Sequence, residues 1–162
     1  MRTDSSKNDI LYLYLKVLSR CYSTGYFDEL FPLLSEEAVM ESQWVLQPNT
    51  GKAAVVDYYT NKGRAFRNSN SCPHCSIIRL IGSMNTMKNV RINVNGTETF
   101  GSLGLLYDDG KYAMYMSQTI NDVTNGVVVD LSLDDNDMIS RIDLCMPQLF
   151  NFEVVTDDDE GG

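Results

Sequence analysis

The chain of 162 residues has the size of one globular domain, and its 43% hydrophobic and 22% charged residues exclude a wholly disordered protein. Thirteen basic and 22 acidic side chains give a net charge of −9, which repels nucleic acid and anionic membranes, so we expect neither as a partner. The apolar run Ile10–Leu15 is too short to span a membrane, and residues 1–9 include acidic side chains that a secretory leader lacks. We therefore expect a cytoplasmic protein with reduced thiols.

The amino-terminal part of the sequence predicts two helices in succession. Ser6 and Asp9 have the spacing of a capping box, and apolar residues then recur at steps of three and four until Gly25, which is suited to end a helix. Phe27–Leu34 predicts a short second helix, in which Pro32 is tolerated only within the first turn.

The rest of the chain predicts one strand, a third helix and then a series of strands. Glu37–Gln47 is typical of a strand, residues 47–51 of a turn, and residues 51–67 of a helix. Further strands are predicted at 77–81, 89–94, 99–107, 111–119, 126–133, 138–146 and 149–155. Short connections favour antiparallel neighbours, so the fold class is α+β, with helices packed on one face of a curved sheet. We expect a single domain over 1–156 and a disordered acidic tail over 157–162.

Four segments carry a resemblance to a known family: Tyr22–Leu30, Leu33–Glu41, Thr50–Tyr59 and Val127–Asp135. In this order and spacing they resemble the nuclear transport factor 2-like superfamily, in particular its SnoaL-like and ketosteroid-isomerase-like branches. The resemblance covers nearly the whole chain. It implies a cone-shaped fold, in which a bent antiparallel sheet wraps around three amino-terminal helices and encloses an apolar pocket at its open end. It also implies a homodimer that pairs sheet to sheet, as many members do.

The same family contains isomerases, dehydratases, polyketide cyclases and epoxide hydrolases, together with members that only bind, so the fold alone does not assign a function. The ketosteroid isomerase branch uses a carboxylate base on the first strand, with a tyrosine and a protonated aspartic acid as oxyanion donors. Matching those positions gives Ser42 for the base, Leu18 for the tyrosine, and Val129 or Asp130 for the acid. Two of the three roles are missing, so we do not expect steroid isomerase chemistry.

The wall of a pocket can nevertheless be predicted. The phase of the first strand directs alternate side chains inward. Candidate substrate-binding residues are Met40, Ser42, Trp44, Tyr14, Tyr58 and Tyr115. Trp44 is either a core aromatic or a flat wall for a planar apolar ligand. Asp130 interrupts a β-rich run, so it either faces water or has an elevated pKa and acts as an acid.

Cys72-Pro73-His74-Cys75 is the most conspicuous local motif, because the same four residues form the active site of DsbA-like oxidants. That mechanism needs a helix to follow, whereas the β-rich segment 77–81 follows here. A zinc site would need a further ligand cluster. The favoured interpretation is a loop thiol pair that can oxidise locally. His74 is the only histidine and hence a candidate general base.

We predict a SnoaL-like protein that binds a small apolar or aromatic molecule without a cofactor or a metal. If it is an enzyme, the expected chemistry is proton transfer or dehydration, with Asp130 or His74 as the catalytic acid or base. The alternative is a non-catalytic interaction module whose sheet face binds another protein. A third hypothesis is thiol–disulfide chemistry through Cys72 and Cys75.

Overall fold

The structure, a computed structural model, describes residues 4–43, 45–69, 71–82, 84–94, 96–107, 109–120 and 123–155. The prediction that Trp44 lines a pocket and the prediction of a disordered tail over 157–162 both fall outside these described residues.

The described residues contain two α-helices, α1 (Asp4–Thr24) and α2 (Lys52–Ser69). Helix α1 already includes Ser6, so Ser6 is not its N-cap, but the helix does end at Gly25, which has a positive φ of 79°. The predicted arrangement of three helices is not confirmed. The segment expected to form the second helix contains only a 3-10 turn, Phe31–Leu33, because Pro32 lies in its first turn and the backbone is extended immediately afterwards.

The described residues also form nine strands, numbered here in chain order. They are β1 (Leu34–Ser42), β2 (Val45–Thr50), β3 (His74–Leu80), β4 (Met84–Val94), β5 (Thr97–Tyr107), β6 (Tyr112–Ile120), β7 (Val123–Leu133), β8 (Ile139–Cys145) and β9 (Phe152–Val154). The strand predicted at 37–47 is thus two strands, and the predicted turn at 47–51 lies mostly in β2. Pro48 is tolerated there because β2 is at the edge of the sheet, where a missing N–H breaks no ladder.

Seven strands form one sheet in the order β2-β1-β8-β7-β6-β3-β9, and β4 pairs with β5 in a separate hairpin. The sheet is mixed rather than purely antiparallel, because β1 and β8 run parallel. The tight β7–β8 turn makes these two strands antiparallel, and β1 then joins the other edge of β8 from a distant part of the chain. Register shifts in the β1–β8 and β7–β8 ladders bend the strands into a curved sheet.

The two faces of the sheet carry different apolar clusters. One face, called here the helix-covered face, packs residues such as Met40, Met114 and Val129 against both helices in a single apolar core. The opposite or outer face carries a smaller cluster that includes Val128 and Phe150. Neighbouring residues of a strand point to opposite faces, so the position of a residue in its strand decides which cluster it joins. None of the described helices is long and apolar enough to cross a membrane.

Candidate functional site

The helix-covered face becomes progressively more accessible toward one end of the sheet. Cross-strand pairing places Met114 beside Val129, and both are fully buried. The next pair along the same two strands, Met116 and Val127, is less covered, with Met116 8% exposed and Val127 half-buried. We call this region the open end and define it by the residues Ser42, Cys75, Met116, Val127 and Leu144.

A cluster of tyrosines lies beside the open end. The hydroxyls of Tyr22 and Tyr59 are 3.0 Å apart, and both rings are fully buried. The half-buried Tyr58 ring packs edge-on against Tyr59, with 5.0 Å between the ring centroids. Burial raises the pKa of Tyr22, and nearby Tyr58 and Cys75 raise it further, which indicates that these groups are close together.

Tyr58 is the member of this cluster that can bind a ligand. A tyrosine hydroxyl is protonated at neutral pH and can donate a hydrogen bond, and burial raises the pKa of Tyr58 further above its ordinary value. Within the described part of the chain its hydroxyl makes no hydrogen bond. An apolar surface with one available donor beside it suits an apolar molecule that carries a carbonyl or hydroxyl oxygen.

The structure brings some of the predicted binding residues together and separates others. Ser42 lies at the open end, and Met40 lies one step deeper in the same strand, where it is 1% exposed and part of the core. Tyr14 is at the opposite end of the fold, because its hydroxyl donates a hydrogen bond of 2.8 Å to the Asp137 carbonyl in the β7–β8 turn. Tyr14 therefore anchors a turn.

Asp130 lies on the outer face, one residue along β7 from the core residues Val129 and Leu131. Its Oδ1 is 2.8 Å from Lys111 Nζ, and the carboxylate is almost completely buried. Burial raises the pKa of Asp130, the Lys111 ammonium opposes that rise, and Asp143 on the neighbouring strand adds to it. Of the two alternatives given for Asp130, the structure fits a raised pKa better than exposure to water, but the carboxylate is in an ion pair on the face opposite the open end.

The cysteine motif follows the carboxyl end of α2, and His74 is already the first residue of β3. A helix lowers the pKa of a thiol near its amino end, so this position does not activate Cys72 or Cys75. Burial is the main cause that raises the pKa of Cys75 to about 12, and Cys72 adds to it. His74 is exposed and alternates with Cys75, so it faces outward. No three His, Cys, Asp or Glu side chains converge as metal ligands in the described parts of the chain.

Tyr115 is also on the outer face, where its ring stacks on Phe152 with centroids 5.6 Å apart. It lines a groove of about 880 Å³ between β7 and the chain that follows β8. The predicted site residues are therefore divided, with Met40, Ser42, Tyr14 and Tyr58 on the helix-covered side and Asp130, His74 and Tyr115 on the outer side.

Sequence reasoning missed Met116, Val127 and Leu144 as open-end residues. Their alternation with Tyr115, Val128 and Cys145 was visible, but both sets are apolar, so the pattern alone did not separate the faces.

The fold has a counterpart among solved structures. A nuclear transport factor 2-like protein from Anabaena variabilis ATCC 29413 superposes with a TM-score of 0.50 and 14% identity, covering 97% of this chain and 96% of that chain. The chain has a nuclear transport factor 2-like fold. A steroid delta-isomerase from Pseudomonas aeruginosa is also similar, with a TM-score of 0.49 and 11% identity over 84% of this chain and 78% of that chain. A delta-5-3-ketosteroid isomerase from Mycobacterium sp. has a TM-score of 0.47 and 14% identity over 89% of this chain and 98% of that chain. No protein-family model and no curated protein matches this chain. Identities this low relate folds and do not transfer an activity.

Proposed function

We propose that the protein binds a small apolar molecule at the open end of its helix-covered face. The observation that carries this proposal is the change in burial along β6 and β7, since Val127 is half-buried and Met116 is 8% exposed, whereas the neighbouring pair Val129 and Met114 is fully buried. All four are apolar, so the surface that Val127 and Met116 leave accessible is hydrocarbon and thioether surface that a ligand would cover. Methionine adapts its shape readily, which suits a site that accepts related ligands.

The orientation of the ligand would come from Tyr58. Its hydroxyl is the donor available beside the apolar surface, and its raised pKa keeps the proton in place. We expect it to donate to a carbonyl or hydroxyl oxygen of the ligand. Acid–base catalysis by Asp130 or His74 is not part of this proposal, because both residues face away from the open end. The proposed function is therefore binding.

The direct test uses Nile red, a neutral apolar dye with a carbonyl group, and methyl-labelled methionine. NMR of the intact protein should show that saturable dye binding shifts the Met116 methyl signal and leaves the signal of Met146, on the outer side, in place. This readout needs no substitution at the site. Saturable binding that shifts only Met146, or no saturable binding at all, would contradict the proposal.

Two substitutions make the test quantitative. Met116→Lys places a charge at the open end and should weaken dye binding at least about tenfold, a change that needs only 1.4 kcal/mol. Val154→Lys makes the same charge change at a side chain that is 52% exposed on β9, and should leave binding unchanged. Tyr58→Phe should weaken binding by a smaller factor because only one hydrogen bond is lost. Circular dichroism checks that each variant is folded, and equal affinities for both lysine variants would count against the proposed site.

The homodimer implied by the family resemblance remains a prediction, which analytical ultracentrifugation would check directly.

A further inference from the structure

Strand β7 extends beyond the strand that covers one of its edges. Its ladder with β8 ends at Val128, which pairs with Cys145. Its ladder with β6 continues to Val123, which pairs with Ile120. From Val127 back to Val123, β7 therefore has a neighbour on the β6 side, and no described strand pairs with it on the β8 side.

The sequence explains why β8 stops at this point. The Gln43 N–H donates a hydrogen bond of 3.0 Å to the Leu144 carbonyl, so the backbone groups of Leu144 face β1. Backbone groups alternate along a strand, so those of Cys145 face β7, and residue 147 would be the next to do so, opposite Gly126. Residue 147 is a proline, which has no N–H to donate, and it begins a 3-10 turn that leads the chain out of the sheet.

Gly126 is consequently left with its N–H and C=O directed toward the vacated side. No hydrogen bond joins these groups to another described residue on that side. The absence of a side chain at Gly126 also lets the ring of Tyr115 lie over the backbone. A Cβ at this position would lie 2.9 Å from both Cε2 and Cζ of Tyr115, whose ring covers the glycine. The result is a bare stretch of backbone with an aromatic side chain beside it.

The groove described above follows this free edge. Its lining residues are Tyr115, Thr124, Asn125, Gly126, Val127, Met146, Pro147 and Gln148. Thr124 to Val127 are consecutive, and consecutive side chains of a strand point to opposite faces, so the groove must run along the edge of β7. The opposite wall is the departing chain at Met146 to Gln148. The lining contains no charged side chain, so an added strand would remove no charged group of the groove from water.

We propose that an extended peptide segment of another protein binds in this groove by adding as a strand to the free edge of β7. Strand addition provides main-chain hydrogen bonds to Gly126, which a small apolar molecule does not offer. Gly126 supplies one N–H and one C=O to the added strand, and roughly five peptide residues at ~3.3 Å each can lie alongside β7 between Val123 and Val127. Tyr115 and Met146 would contact alternate apolar side chains of the peptide.

The charge of the protein indicates which residues flank the segment that binds. A net charge of −9 attracts a peptide with basic residues flanking its extended core. A second copy of this chain carries the same excess of negative charge, so it offers less charge complementarity at this groove than a basic peptide does, and the homodimer predicted above would pair through the face of the sheet instead of this edge. The partner is therefore an extended, uncharged β-forming segment with lysine or arginine on either side. This interaction uses the edge of β7, whereas ligand binding at the open end uses the helix-covered face, and the two sites share Val127.

The experiment is a selection from a displayed library of random ten-residue peptides on the full-length protein. The test variant is Met146→Lys, which puts a positive charge into the groove from a side chain that is 36% exposed. Val154→Lys is the matched control, since it makes the same charge change at another exposed apolar residue outside the groove lining. Wild type and Val154→Lys should enrich peptides with alternating β-branched residues and basic flanks, and Met146→Lys should bind them at least about tenfold more weakly.

Two readouts on the selected peptides identify strand addition specifically. Two versions of each peptide are compared, one methylated at the odd-numbered amides and one at the even-numbered amides. One version should lose binding and the other should keep it, because only every second amide faces β7. Hydrogen exchange at the Gly126 amide should slow when the peptide is bound. The proposal is overturned by failure to enrich peptides, by equal binding to Met146→Lys, by binding that both methylated versions keep, or by a dimer of this chain that Met146→Lys dissociates.

Discussion

Replacing Lys111 with methionine should destabilise the protein much more than replacing Asp130 with asparagine, although the two residues form one ion pair. The side chains are 18% and 9% exposed, and the Nζ–Oδ1 distance is 2.8 Å. Asp130 also lies directly opposite Asp143 on β8, so the two carboxylates repel each other. Without the ammonium group, the buried Asp130 carboxylate would lose its counterion and keep Asp143 as its neighbour, whose own charge is balanced by Arg141 at 2.9 Å.

The magnitudes follow from burial. Removing the cation from a buried pair costs about 3–5 kcal/mol, which is about 6–20 °C in Tm for a chain of this size. Asp130→Asn should cost only about 1–2 kcal/mol, because the flexible lysine can move its ammonium to water and the repulsion with Asp143 is removed. The double variant Lys111→Met/Asp130→Leu should come close to wild type, since apolar side chains can replace a buried pair at little cost.

The cost of Lys111→Met should also depend on pH. Burial already raises the pKa of Asp130 above 3.8, and loss of the ammonium raises it further. Between the unfolded and folded pKa values, the native state holds more protons than the unfolded chain, so stability falls as pH rises. The stabilising contribution of the protonated acid is complete below the unfolded pKa and is lost as pH passes through the folded pKa. The difference from wild type should therefore increase from about pH 4 to about pH 7.

Urea unfolding of the four proteins at several pH values measures these quantities. The control is the exposed pair of Arg20 and Glu29, whose N–O distance of 2.9 Å is nearly the same while the side chains are 59% and 66% exposed. Arg20→Met should cost less than about 1 kcal/mol. A cost for Asp130→Asn that equals or exceeds that of Lys111→Met, or a pH-independent difference, would refute the reasoning.

Three further results are expected. Tyr22→Phe should lower the free energy of unfolding by about 1–3 kcal/mol, because it leaves the buried Tyr59 hydroxyl without its partner. Replacing both tyrosines by phenylalanine should cost less than the sum of the two single changes. Additive costs in urea unfolding would contradict this. At about pH 8, iodoacetamide should modify exposed Cys72 in the native protein and spare Cys75, whose pKa burial raises to about 12, and equal rates by mass spectrometry would disprove the difference. Gly51→Ala should cost about 1–2 kcal/mol through its φ of 93° alone, since a Cβ there meets no other atom; an unchanged Tm would rule out this backbone strain.

The overall fold could be predicted because its signals are local. Helical periodicity up to Gly25 located α1, and the change to alternating segments after residue 70 predicted the sheet. The segments that failed depend on partners distant in sequence. Pro48 reads as a turn residue, yet it lies in a strand because β2 is at the edge of the sheet. The parallel pairing of β1 with β8 joins segments about a hundred residues apart, and no local pattern encodes that.

The candidate site was less predictable because both faces of the central strands are apolar. Alternation predicts the face of a residue only when one face is polar. In β7 the run from Val127 to Leu131 is apolar at every position except Asp130, so the sequence cannot indicate whether Asp130 faces the helices. An elevated pKa was one of two alternatives for Asp130, and its partner Lys111, which immediately precedes β6, could be identified only from the assembled strands.

A different kind of signal was present in the sequence but needed the register to be understood. From the sequence alone, Pro147 indicates only that a strand ends, and Gly126 is a residue that weakens the interior of a strand. Their meaning depends on the two positions being opposite each other, because the missing N–H of the proline leaves the backbone groups of the glycine without a partner on that side. One more rung between β8 and β7 would need both a donor at residue 147 and an extended chain in place of the 3-10 turn. The free edge therefore depends on the missing N–H and on the turn that Pro147 begins, and the same local chemistry that ends β8 creates the surface at which another strand can pair.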